Sequence, residues 1–437
     1  MAKLKELFKS KVFLIILIII TLLAALIPRL LLSPYSGYPE DIAFFKEWSR
    51  NAVTFSIAHI YERSVNTDVI LPNYMPIYLY FLRLSGFIYK TFISPEYNID
   101  SASLTILLKI NAIIFDLATA LIIFYVLRKE FSFLAGYFGL VLYSFHPAIL
   151  VLSGYWGQVD SIPAFFVLLA IILATKNKFL GSWLFITIAV FIKLQSIIFI
   201  PIIFLLNLIK KKYNLFDLTK NILLSLILAI LIISPFLING TFISFVKTVF
   251  NSVGYYKYVS LNAFNIWWPL TNGDYKTMPD TEKLFNAIPY FYVGLFLFFI
   301  AYLFALIILY YKNDRFMIYM IASFIAFAFF MLPTQIHERY FFPLFALLVM
   351  IVWRNRQLLA IYLILALVFF ANIFCVLLQE KGGQSIFQAL EGGVKWPHWL
   401  TQNYGTIINI IIFIYFIYLI VYYSRLKRLN NKHKLIK

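Results

Sequence analysis

The fold is decided by the stretch KNKFLGSWLFITIAVFIKLQSIIFIPIIFLLNLIKKK, Lys176 to Lys212. Lys178 and Lys210 enclose 31 residues, broken only by Lys193-Leu194-Gln195-Ser196. A helix crosses a bilayer core with about 20 apolar residues, roughly 17–25 in practice. The run is too long for one such pass. Its central break reads as two short segments that leave a basic anchor and return to a second one on the same side. Lys193 then stands at the turn, on the opposite side. A lysine there either snorkels to the interface or faces a cavity, where it suits an anionic group.

The rest of the chain obeys the same solvent. Of 437 residues, 62% are hydrophobic and 13% charged, against roughly 45–50% and about 25% in soluble domains. Mean hydropathy is +0.87. A water-soluble fold has too little interior to hide that surface, so the solvent is lipid. Disorder, disulfide scaffolds and nucleic-acid modules are excluded. The one cysteine, Cys375, allows no intrachain disulfide. Apolar segments fall near 12–32, 104–127, 133–151, 162–175, 179–192, 194–209, 221–238, 289–311, 316–333, 341–353, 357–378 and 404–423. The expectation is an all-α membrane protein of about 12 transmembrane helices, within a range of 10–13, forming a single polytopic domain over 1–437. Segments 162–175, 179–192 and 341–353 are short for crossings. The first segment runs on to Pro28 without a small-residue cleavage site, and is read as a retained helix.

The formal charge of +18 is topological. With both termini and every second loop assigned to the cytosol, those pieces hold 22 cations and four acids, a net of +18. The remainder nets zero, as the positive-inside rule prefers. No nucleic-acid partner is needed to explain the excess; the partner is the lipid bilayer. The expected place is a plasma (inner) membrane with cytosolic termini. The basic tail 425–437 is expected in the cytosol or at lipid headgroups. Long loops build up on the other face only, at 33–103, 239–288 and 379–403, so the working face is expected there.

Four motifs on that face carry chemistry. In the first loop, Pro39-Glu40-Asp41 is a good helix start. Phe44, Phe45, Trp48, Ala52 and Phe55 then recur at three- and four-residue steps, giving an amphipathic helix along the membrane surface. Asp41 falls on the same stripe, which aims a carboxylate toward the apolar side. A second interfacial helix follows from Asn73-Tyr74-Met75-Pro76. At the end of the 133–151 segment, Trp156-Gly157-Gln158-Val159-Asp160-Ser161 places an acid and an amide at membrane depth, where irregular backbone is buried in protein or lines a watery cavity. Lys193-Leu194-Gln195 is the third motif. The fourth, His337-Glu338-Arg339-Tyr340, follows the 316–333 segment: a glutamate can hold the arginine, and an arginine forks onto phosphate. Its spacing does not suit a HExxH zinc site. Within the 104–127 helix, which also carries Lys109 and Asn111, Asp116 lies near the centre of the span, where it is expected to be paired inside the bundle.

Taken in order, Asp41-x-x-x-Phe45-x-x-Trp48, Trp156 to Ser161, Lys193 to Gln195 and His337 to Tyr340 resemble the bacterial relatives of GPI mannosyltransferase II, within the GT-C superfamily of integral-membrane glycosyltransferases. The resemblance implies a GT-C type bundle that takes a sugar, mannose in the first place, from a polyprenyl-phosphate donor. The acceptor would be a glycan, glycolipid or protein hydroxyl on the non-cytosolic face. It implies an acid of the first outer loop beside the acceptor, Asp41 here, and no required metal cofactor. The superfamily's spaced acid pair is replaced by adjacent Glu40 and Asp41, which leaves two candidates. A lipid-phosphate sugar already carries a good leaving group, so one base and cations on the phosphate suffice. Direct displacement inverts the anomeric centre. Arg339 and Lys193, with His337, are expected at the phosphate. Trp156, Gln158, Asp160, Gln195 and Tyr340 are expected to line the site, with Glu338 fixing Arg339. The competing class is a transporter or flippase of lipid-linked sugars, which would use the same charges without turnover.

Overall fold

The computed structural model describes residues 11–66, 70–252, 254–353, 355–379 and 398–434. Most of the expected outer loop 379–403, the first ten residues and residues 435–437 lie outside the described residues, as do the tail side chains beyond 425. Its described residues form a bundle of 16 helices. In order these are α1 (Lys11–Leu32), α2 (Pro39–Thr54), α3 (Pro76–Phe92), α4 (Ala102–Glu130) and α5 (Phe133–Ser144). Next is α6 (Pro147–Leu150), which continues as a π-helical turn over Val151–Trp156. Then follow α7 (Ser161–Thr175), α8 (Phe179–Ile192), α9 (Ile200–Lys210), α10 (Leu215–Ile238), α11 (Phe242–Ser252) and α12 (Tyr290–Tyr311). The last are α13 (Arg315–Met331), α14 (Phe342–Val352), α15 (Arg356–Gln379) and α16 (His398–Lys434). A short antiparallel pair, β1 (Lys283–Leu284) and β2 (Ile288–Pro289), sits in the loop before α12.

Every expected apolar segment is helical. Starts are set as the residue types dictate: Pro39 and Pro76 occupy the first helical position, where their missing N–H costs nothing. Ser132 and Asp314 cap α5 and α13 through their side-chain oxygens. Six helices, α1, α4, α10, α12, α15 and α16, are long and apolar enough to cross a membrane alone. The α5–α6 pair adds a seventh if taken as one span bent by 55°. The short ones, α7, α8 and α14, pack among the other helices. Nearly every residue of α13 and α14 is buried, whereas α1, α10 and α12 are mostly open to their surroundings. Helices that meet lipid must match its thickness. Helices sheathed by protein need not, and at 1.5 Å per residue a 14-residue α8 spans only about 21 Å.

Successive connections alternate between two ends of the bundle. At one end, Arg315 pairs with Glu130 at 3.2 Å, Tyr213 and Tyr310 join through their hydroxyls, and Lys312 reaches the Tyr423 carbonyl. At the other, Thr241 donates to the Ala58 carbonyl, Ser244 to Glu62, and Leu261 N to the Ile336 carbonyl. The first end carries the basic connectors and the second the long loops. There α2 and α3 cap the bundle: α2 buries Ile42, Phe45, Trp48 and Ala52, the expected stripe.

One buried pair ties this end to the spans. Arg29, wholly enclosed, binds Asp116 at 2.7 Å and donates to the Ser144 carbonyl and Ser153 hydroxyl. It joins α1, α4 and the α5–α6 break. The expected pairing of Asp116 is thus met by a residue 87 positions away. Replacing Arg29 by Met should lower stability by about 3–5 kcal/mol, because it strands a buried carboxylate. Arg29→Met/Asp116→Leu should recover most of that loss. Thermal unfolding in detergent checks both; an unchanged melting temperature for the single variant would show that the pair is not holding the fold.

Candidate active site

The π turn decides where the second motif points. π-helical turns leave the i→i+4 ladder and occur at functional positions. Here the turn ends at Gly157 (φ +83°), with the Gly157 and Gln158 amides both bound to the Leu152 carbonyl at 2.9 Å. A Cβ at Gly157 would lie 2.6 Å from the Lys109 side chain. The reversal turns Trp156 and Gln158 toward the start of α2. There both donate to one oxygen of Asp41, Trp156 Nε1 at 2.8 Å and Gln158 Nε2 at 2.5 Å. Tyr38 stacks on Trp156 with 5.0 Å between rings. Asp41 is half-buried; its neighbour Glu40 is exposed and enters none of these contacts among the described residues. The choice between the two acids is made by the helix: position 41 faces inward and position 40 does not.

Lys109 locks that junction. Its ammonium, fully buried, donates to the carbonyls of Tyr35 (2.5 Å) and Tyr155. One carbonyl lies just before α2, the other just before Trp156. Gly37 completes the joint: a Cβ there would come within 2.3 Å of the Tyr155 oxygen. No carboxylate pairs with Lys109 among the described residues.

The cations gather near Trp156. The Arg339 guanidinium sits 5.9 Å from the Trp156 ring, 3.2 Å from Glu338 and 4.0 Å from Asp160. Lys193, at the break between α8 and α9, binds Asp160 at 2.6 Å and lies 4.8 Å over the Tyr340 ring. Gln195 donates to the Tyr340 hydroxyl at 2.7 Å. His337 contacts Glu338 at 3.9 Å and packs on Tyr340 and Tyr256. The structure therefore brings Asp41, Trp156, Gln158, Asp160, Lys193, Gln195, His337, Glu338, Arg339 and Tyr340 to one end of the bundle. It also changes the picture of two. Lys193 is not a free cation but shares Asp160, and Asp160 faces the cations rather than open space. A narrow groove with about 30 Å³ of free volume opens beside them, lined by Phe199, Phe329, Tyr340 and Pro163 together with Lys193 and Asp160.

Several buried polar atoms here have no partner: Gln158 Oε1, Gln195 Oε1, Asp160 Oδ2 and Arg339 Nε. Buried polar groups are normally satisfied; two of these residues, Asp160 and Gln195, line the groove, where a polar ligand could meet them. Burial, with Arg339 and Lys193 nearby, pushes His337 well below its ordinary value. The imidazole is neutral at pH 7 even though about a fifth of the side chain is exposed (22%), and adds no positive charge to the site. Burial pushes Glu338 up, and Arg339 alongside pulls it back. Tyr74 belongs here too. Burial raises its phenol, with Arg339, Asp41 and Asp160 among the charges it feels, so it remains a donor. Among the described residues no group of three or more His, Cys, Asp and Glu is placed to hold a metal ion.

The comparisons bear on the fold. No family model matches the sequence, and no curated protein matches it. The crystal structure of ArnT from Cupriavidus metallidurans bound to undecaprenyl phosphate is similar, with a TM-score of 0.51 at 13% identity, over 92% of this chain and 76% of that one. The likeness shows the fold: an all-α membrane bundle similar to that of ArnT.

A buried ammonium without a counter-ion costs stability. Lys109→Met should therefore leave the melting temperature unchanged or raised. Released from its joint, Asp41 should lose register with Trp156 and Gln158, and turnover should fall about 10- to 100-fold. A variant that melts earlier but turns over normally would make Lys109 a purely structural residue.

Proposed function

We propose that this chain transfers a sugar from a polyprenyl-phosphate-linked donor to an acceptor hydroxyl, with Asp41 as general base. The observation that carries the reading is the convergence of one half-buried carboxylate, Asp41, with Arg339 and Lys193 around Trp156 and a largely apolar groove. Asp41 and Arg339 both contact the same indole, that of Trp156. A carboxylate and a cation pair so disposed suit a substrate that loses a proton at one end and releases a phosphate at the other.

In this reading the donor's phosphate lies against Arg339 and Lys193, and its prenyl chain leaves along the groove lined by Phe199 and Phe329. Asp41 takes the proton of the acceptor hydroxyl through the oxygen not committed to Trp156 and Gln158. The acceptor oxygen attacks the anomeric carbon, and the bond from that carbon to the phosphate oxygen breaks with inversion. The polyprenyl phosphate departs with the bonding electrons, and the two cations take up its added charge. Tyr74 donates toward the same space. Trp156 and Gln158 hold the base in one orientation. The bound undecaprenyl phosphate of the ArnT structure, on a similar fold, supports this class of lipid. Mannose, and the kinship with GPI mannosyltransferase II, rest on the sequence resemblance. The site would open on the non-cytosolic face of a plasma membrane, opposite the basic connectors, with both termini cytosolic. The acceptor is a glycan, glycolipid or protein.

Asp41→Asn removes the base but keeps the shape and both hydrogen-bond donors' acceptor. Sugar transfer from a panel of polyprenyl-phosphate sugars should fall by about 10²–10⁴, with donor binding nearly unchanged. Near-normal turnover in this variant would remove Asp41 from the chemistry. If wild type translocates but never transfers the sugar, the chain is a flippase. Arg339→Ala should instead weaken donor binding about 10- to 100-fold, the loss of a charge-assisted contact. Unchanged donor affinity would move the phosphate elsewhere.

A further inference from the structure

The place between the two cations is already taken by a carboxylate. Asp160 Oδ1 binds Lys193 at 2.6 Å, and Oδ2 stands 4.0 Å from Arg339 Nε. Both Oδ2 and Arg339 Nε are buried without hydrogen-bond partners. Asp160 directly precedes α7, where an aspartate commonly caps the first turn. Here it makes no side-chain hydrogen bond to that turn. Its carboxylate is held by the cations and not by its own helix, so nothing but that attraction keeps it in place. Asp160 and Lys193 line the groove, with Tyr340 and Gln195.

Transfer changes the charge that these groups face. The donor phosphate is a diester with one negative charge. The carrier left behind is a monoester, whose second ionisation falls near pH 6, so it carries about −1.5 to −2 at pH 7. Cations arranged to stabilise the departing phosphate would hold this product more tightly than the donor, and the site would stall on its own leaving group.

We propose that Asp160 expels the spent carrier. Its carboxylate occupies the phosphate position in the empty site, yields to the singly charged donor, and competes with the more highly charged monoester for Lys193 and Arg339. The inference rests on the reading of this site as a lipid-phosphate site. It adds a role for an acidic residue that would otherwise only weaken substrate binding.

The test measures binding of two short analogues, farnesyl phosphate (a monoester) and farnesyl methyl phosphate (a diester), to the purified full chain in detergent. Wild type should bind the two within about threefold of each other at pH 7.5, the carboxylate offsetting the extra charge. Asp160→Asn should bind the monoester about tenfold more tightly and change far less for the diester, since removing a like charge at contact distance favours the dianion. At pH 5, where the monoester carries a single charge, that gap should close. In turnover the variant should show stronger inhibition by farnesyl phosphate. If Asp160→Asn shifts both lipids equally, or if the gap ignores pH, Asp160 only props Lys193 and the proposal fails. If the variant does not fold, wild type still decides: monoester binding more than about tenfold tighter than diester at pH 7.5 leaves no room for a competing carboxylate. Binding of neither analogue to wild type would overturn the lipid-phosphate reading itself, and the role of Asp160 with it. Normal binding of both, with no effect of Asp160→Asn, would overturn only the latter.

Discussion

Lipid solvates neither a peptide group nor a charge, and the whole molecule is arranged around that refusal. Several long-range ties at the end that carries the long loops are buried ions finding partners inside the protein. Arg29 finds Asp116, Lys109 finds two carbonyls, Lys193 finds Asp160, and Arg339 approaches the same Asp160. These ties draw α1, the α5–α6 break, the α8–α9 break and the α13–α14 connection together. The apolar spans give each helix a place in the bilayer, but apolar surface in lipid attracts apolar surface hardly at all. Relative position at this end is therefore fixed by polar contacts, and the same contacts form the site.

The consequence is a layered site. Behind it lies structure that never meets a substrate: Arg29–Asp116 and the Lys109 joint. In front lie groups whose bonding is left incomplete: Gln158, Asp160, Gln195 and Arg339 each keep a buried polar atom without a partner.

How much of this the sequence discloses depends on the range of the interaction. Apolar runs are local, and all of the segments they mark are helical. The α2 stripe, from Phe45 to Trp48 and Ala52, is local too, and it aims Asp41 inward as its spacing requires. The motifs at 156–161, 193–195 and 337–340 stand out because polar residues interrupt apolar runs. Partner choice is not local. Arg29 sits 87 residues from Asp116, and the sequence offers no period that links them. Lys109 looks like any lysine near a helix end until two carbonyls close on it. Lys193 and Asp160, 33 residues apart, read singly as a phosphate ligand and a substrate ligand; only their contact shows that each modifies the other. The helices α7, α8 and α14 are short for lipid-facing crossings; α14 and most of α7 are enclosed by other helices, a long-range outcome that their own sequence does not disclose.

Asp41 shows what such an arrangement provides. In the proposed transfer the acceptor oxygen has to meet the anomeric carbon in line, so the direction of the carboxylate is what matters. Trp156 and Gln158 fix the oxygen they bind and so fix the direction of the other one. Lys109, by joining the backbone before α2 to the backbone before Trp156, makes that direction a property of the fold rather than of one side chain's rotamer.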